Sequence, residues 1–235
     1  MKKVFLPFAF VLTLIGVGLS SCDKIVDFIE DLLTEGDATE ALKEALRVGS
    51  DTAVFQGSQL DGYFGNQLIK ILMPQEADPI INAINLIPGG NLLVDEVVLK
   101  LNRAAEDAAP QASGILLQAI TDITIVDAIN IVNGPNDAAT QYLRSATQDT
   151  INMLFRPHIE SSLQAVGAQT AWGELTNVYN SLPLVTPVNT DLAGYTTDRA
   201  SFGLFELVAI EEGKIRNDPI HRVTEILNQV FGDGN

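Results

Sequence analysis

Thr124-Ile125-Val126-Asp127-Ala128-Ile129-Asn130-Ile131-Val132-Asn133-Gly134-Pro135-Asn136-Asp137 is the stretch from which the fold is read. Thr124 can cap a helix, with Asp127 at the third helical position, the spacing of a reciprocal cap. Gly134 suits the left-handed position that ends a helix, and Pro135 cannot continue one. Asn136 or Asp137 then opens a further helix through Phe155. Residues 124–155 are thus expected to form a helical hairpin with a very short turn.

The same punctuation runs upstream. Pro88-Gly89-Gly90 is the clearest break in the chain. It precedes a long helix, Asn91 to Ala109, with Leu93, Val97, Leu101, Ala104 and Ala108 on one side. Pro110 interrupts it, and Gln111 to Ile120 continues as helix. A short helix to about Ile87 follows Pro74 and Pro79. Asp61-Gly62 and Gly65-Asn66 mark turns. Earlier, Asp37 as N-cap with Glu40 three residues on starts a helix striped by Leu42, Ala45, Leu46, Gly49 and Ala53. Thr34-Glu35-Gly36 closes an amphipathic segment, residues 25–33, whose acidic outer face suits docking on protein better than on a membrane surface.

Downstream, Pro157 is read as a helix start, ending near Gly167, and a further helix holds Trp172. Residues 181–191 form an irregular crossing. Thr197 caps a helix to about Asn217, and Asp218-Pro219 opens a last one that ends at Gly232. No run of alternating strands occurs. The expected class is all-α: one compact orthogonal bundle of roughly ten helices, many short.

Acidic residues number 30 against 14 basic, a net charge of −16. Such a chain repels nucleic acid and anionic lipid headgroups, and nucleic acid is not an expected partner. The one cysteine, Cys22, leaves no disulfide to form within the chain. It follows Met1-Lys2-Lys3, an apolar run from Val4 to Leu19, and Ser20-Ser21. This order resembles a bacterial lipoprotein signal. The run is shorter than the roughly 20 residues of a spanning helix. Residues 1–21 are therefore expected to be a signal peptide, and Cys22 the lipidated first residue of the mature chain. Residues 22–36 would serve as anchor and tether, and residues 37–232 as a single helical domain. Asp23 resembles a retention signal of the inner membrane in some bacteria, so either membrane fits.

Several motifs carry a family resemblance. They are Ala41-Leu42-Lys43-Glu44-Ala45-Leu46, Leu60-Asp61-Gly62-Tyr63-Phe64-Gly65-Asn66 and Asn102-Arg103-Ala104-Ala105-Glu106. Asp127-Ala128, the run from Asn133 to Tyr142, and the run from Glu211 to Pro219 follow in order. Val230-Phe231-Gly232 closes the set. Together, over about residues 37–232, the chain resembles the domain of unknown function 4197 family of bacterial envelope proteins, often lipoproteins. The resemblance implies a helical envelope domain and no assigned activity. One departure is Phe202, which stands where the family often has an acid.

Chemistry-bearing patterns are sparse. The two histidines, His158 and His221, lie in no zinc-binding or nucleophile-base pattern. Asn102, Arg103 and Glu106 are neighbours on a helix, and a guanidinium there could orient a carboxylate or phosphate. Glu211 and Glu212 follow Leu207 and Val208 by four, so at least one points to the apolar side. Glu212 and Arg216 are spaced as an ion pair. These six are expected to meet inside the bundle, with Asp137 as a further acid; a divalent metal held by them is the alternative to a structural network. Tyr63-Phe64 would fill the core or face a partner. No cofactor is implied. The expected function is that of a membrane-anchored, non-enzymatic helical protein that binds a ligand or an envelope protein. A metal-dependent or carboxylate-based enzyme and a purely structural envelope protein are the alternatives.

Overall fold

The structure, a computed structural model, describes residues 20–86, 88–181, 183–185 and 191–218; of residues 20–35 and 37 it describes the backbone alone. The expected signal region before Ser20, His221 and the expected last helix lie outside the described residues. So does most of the 181–191 crossing; its described ends, Ser181, residues 183–185 and Asp191, are not helical.

Every regular element among the described residues is helical. α1 spans Ser20–Ser58, α2 Asp78–Ile84, α3 Gly90–Ala108, α4 Ser113–Thr121 and α5 Ile125–Val132. α6 spans Ala138–Ala165, α7 Ala168–Asn180 and α8 Leu192–Asn217, with 3-10 turns at Gln75–Ala77 and Ala109–Ala112. Among the described residues the helices are fewer and longer than expected, because packing overrides three local boundary signals.

The first is Thr34-Glu35-Gly36, which α1 crosses without a break. A lone glycine costs a helix only about 1 kcal/mol. The stripe beyond it is buried, with Leu42 at 2% exposure and Ala53 at 0%, and holds the helix. Asp37 is therefore an interior residue, not a cap. The second is Pro157, which lies inside α6. It forfeits a bond to Met153, a residue on the exposed side. Ile151, Phe155, Ile159 and Leu163 meanwhile continue one fully buried stripe past it. The third is Thr197. α8 begins five residues earlier, where Asp191 accepts the Gly194 N–H at 2.9 Å. Thr197 is buried and donates to the Ala193 carbonyl, as helix-interior threonines do.

The hairpin forms as expected. Thr124 and Asp127 make the reciprocal cap. Gly134, however, does not have a left-handed backbone. It is needed for closeness: a Cβ there would sit 2.6 Å from that of Ala138.

α8 packs between α1 and α6, and α3 packs on α6 and α7. The core is built from Leu101, Ala104 and Ala108 of α3, Phe155 of α6 and Leu204 and Phe205 of α8, all fully buried. Leu93, expected on the same stripe, remains 37% exposed. Small residues let the backbones close in. A Cβ on Gly203 would stand 2.7 Å from the Tyr63 ring.

Candidate functional site

α3 carries the first polar group. Asn102 is fully buried. Its Oδ1 accepts the Ile71 N–H at 2.8 Å, and its Nδ2 donates to the Ile71 carbonyl at 2.7 Å. One amide thus satisfies both backbone groups of Ile71 in an irregular, non-helical segment. One turn on, Glu106 Oε1 accepts the N–H groups of Tyr63 and Phe64, each at 3.1 Å. Its Oε2 accepts from Arg103 at 2.6 Å, and Arg103 also donates to Asp61 at 2.7 Å. Burial opposes the charge on Arg103, but its hydrogen bonds to Glu106 and Asp61 outweigh that and raise its pKa above the ordinary value. The Tyr63 hydroxyl donates to the Ala200 carbonyl at 2.7 Å, and burial pushes its phenol well above the usual range. Tyr63 is core; Phe64 is half-buried, with the Lys70 ammonium 4.1 Å from its ring centre.

α8 carries the second group. Glu212, 5% exposed, accepts the backbone N–H of Ala139 at 3.0 Å and that of Thr140 at 2.8 Å. The Thr140 hydroxyl adds a third bond. These donors are the second and third residues of α6, whose own N-cap, Asp137, makes no side-chain cap. Glu212 therefore caps α6 from another helix, where a carboxylate also meets the positive helix end. Arg216 pairs with Glu212 at 2.9 Å and donates to the carbonyls of Ile131 and Val132, at the last turn of α5. One ion pair on α8 thus satisfies both helix ends of the hairpin. Glu211 accepts from Gln56 of α1 at 3.0 Å and from Lys214 at 2.6 Å.

The seven residues singled out from the sequence do not form one site. Among the described residues, no hydrogen bond or ion pair joins the Asn102, Arg103 and Glu106 group to the Glu211, Glu212 and Arg216 group. They are two separate clamps: one welds the 61–71 segment to α3, the other welds α8 to the hairpin and α1. Asp137 joins neither; it is exposed and accepts from Gln141. The void beside Glu212, Arg216 and Leu46 is about 10 Å³, room for roughly one water at most. No group of three or more histidine, cysteine or acidic side chains among the described residues could hold a metal ion. His158 is exposed on α6, away from any helix start. Phe202 carries the guanidinium groups of Arg199 and Arg144, at 4.7 and 5.6 Å from its ring centre.

A cleft of about 490 Å³ escapes the sequence reading. Lys70, Leu72, Met73 and Glu76 form one wall, and Tyr195 and Arg199 of α8 the other. Its two sides lie more than a hundred residues apart in the chain, and no motif marks either.

The family model described as a protein of unknown function (DUF4197) matches residues 32–232. No curated protein and no solved structure matches the chain.

Proposed function

From the premise that the chain belongs to the DUF4197 family, we propose that it is a lipid-anchored protein of the bacterial cell envelope. Its helical domain, residues 37–232, binds a ligand or an envelope protein and performs no catalysis of its own. The observation that carries the binding reading is the consumption of the buried carboxylates. Glu106 and Glu212 each hold two backbone N–H groups and an arginine. A general base or metal ligand needs a carboxylate free to face its substrate. The cleft bears its chemistry elsewhere, on cations and apolar side chains.

The anchor rests on the lipoprotein-like start and on Cys22. α1 adds a geometric argument. At 1.5 Å per residue, the helix from Cys22 to Ser58 is about 54 Å long. A lipid on Cys22 would thus hold the domain on a rigid stalk, with the turns after Ser58 at the end far from the membrane. Cells fed a labelled fatty acid test the anchor. The wild type takes up label and stays with membranes, whereas Cys22→Ala does neither. Label on the variant, or a wild-type protein that washes off membranes, contradicts the reading.

A further inference from the structure

We propose that the cleft between the 70–76 segment and α8 binds a small ligand through an oxyanion, a carboxylate or a phosphate. The cation census points there. Among the described residues, each lysine and arginine from Lys43 to Arg216 has a carboxylate within 4.0 Å, except Lys70 and Arg199. In a chain with about two acids for every base, these two exceptions line the same cleft.

Their settings keep them available. Lys70 rests on the Phe64 ring, and Arg199 rests on the Phe202 ring. An aromatic face attracts the charge but accepts no ordinary hydrogen bond, so the N–H donors stay open to a ligand. Both side chains are half-buried, which limits competition from water.

The wall is built to aim Lys70. Asn102 pins Ile71 by both backbone groups, and Ile71 is fully buried. Ile69 and Ile71, on either side of Lys70, are buried, whereas Lys70 and Leu72 are not and line the cleft. The Tyr195 hydroxyl donates to the Leu72 carbonyl at 3.0 Å and fixes the two walls to each other. Arg199 lies one turn along α8 from Tyr195. A guanidinium can hold two oxygens of one oxyanion, an ammonium supplies a second charge, and Leu72 and Met73 offer a short apolar floor. Glu76 is the one carboxylate in the lining. Among the described residues it forms no ion pair with either cation, and it opposes an anionic ligand, so the described lining carries a net single positive charge.

This inference deepens the binding reading above and rests on it; the anchor is independent of it. The full chain, purified in detergent at low ionic strength, is titrated calorimetrically with inorganic phosphate, citrate and the short-chain lipid dihexanoyl phosphatidic acid. At least one should bind. Lys70→Gln and Arg199→Gln should each weaken that binding about tenfold or more, the ratio for one charge-assisted hydrogen bond. Glu76→Gln should tighten it, and Arg47→Gln, a surface control, should leave it unchanged. Binding of phosphate or citrate identifies a free anion as the ligand class; binding of the lipid alone identifies a headgroup. No binding to any probe overturns the site, as does binding that Arg47→Gln weakens as much as Arg199→Gln. Either failure leaves the fatty-acid labelling of Cys22 standing, so the two readings fall separately.

Discussion

Glu212 and Thr140, which are 72 residues apart, share three atoms' worth of bonding: one carboxylate oxygen accepts both the N–H and the hydroxyl of the threonine, each at 2.8 Å. The pairing joins the C-terminal end of α8 to the first turn of α6. It makes Glu212 the cap that α6 lacks in its own sequence.

Glu212→Ala should therefore lower the stability of the protein by about 3–5 kcal/mol, since it removes the carboxylate that pairs with Arg216 and leaves three donors at the start of α6 without their acceptor. Arg216→Ala should cost a similar amount, and the double variant less than the sum, because the two share partners. Urea unfolding of the four proteins checks this. Losses below about 1 kcal/mol, as for an exposed pair, would contradict the capping role.

Arg103→Ala should be milder, at about 1–2 kcal/mol. Its side chain is 26% exposed, and Glu106 keeps the N–H groups of Tyr63 and Phe64 without it. Combined with Glu212→Ala, the losses should add to within about 0.5 kcal/mol, since the two clamps share no partner. A strong coupling energy in that double-mutant cycle would show the clamps to be one network.

Alkaline pH should destabilise the fold through Tyr63. Burial, and then the charge of Glu106, hold its phenol protonated in the folded state beyond the ordinary range. The unfolded chain loses that proton near pH 10. Above about pH 10 the unfolded state therefore binds fewer protons, and stability falls by about 1.4 kcal/mol per pH unit from this group. Below that pH the contribution is fully present. Urea midpoints between pH 8 and 11 should fall less steeply in Tyr63→Phe; an unchanged slope would mean that the phenol is not sequestered.

Two glycine substitutions should have opposite signs. Gly36→Ala meets nothing within 4 Å and lies inside α1, so it should raise stability by about 0.5–1 kcal/mol. Were Gly36 a left-handed helix stop, alanine would destabilise instead. Gly203→Ala would press on Tyr63 and Ile69, with Ile69 Cβ at 3.1 Å, and should cost about 1–3 kcal/mol. Thermal melts distinguish the cases.

The helices themselves were legible because their causes are local. Period, a reciprocal cap at Thr124 and Asp127, and the break at Pro88-Gly89-Gly90 act within a few residues of one another. Glu106, Glu212 and Arg216 could be picked out for the same reason: each places charge beside an apolar stripe. Local signals could not decide whether a helix boundary is obeyed. Gly36, Pro157 and Thr197 each weigh at most a few kcal/mol, and the buried stripes running past them weigh more. Nor could spacing along one helix say which partner a charge meets on another. Asn102 completes the backbone of Ile71, Glu212 caps α6, and Lys70 and Arg199 come to face one cleft only because α8 lies against α6 and across from the 70–76 segment. Those relations depend on how helices stack, and the stacking energy is spread over many apolar side chains, none of which records its partner.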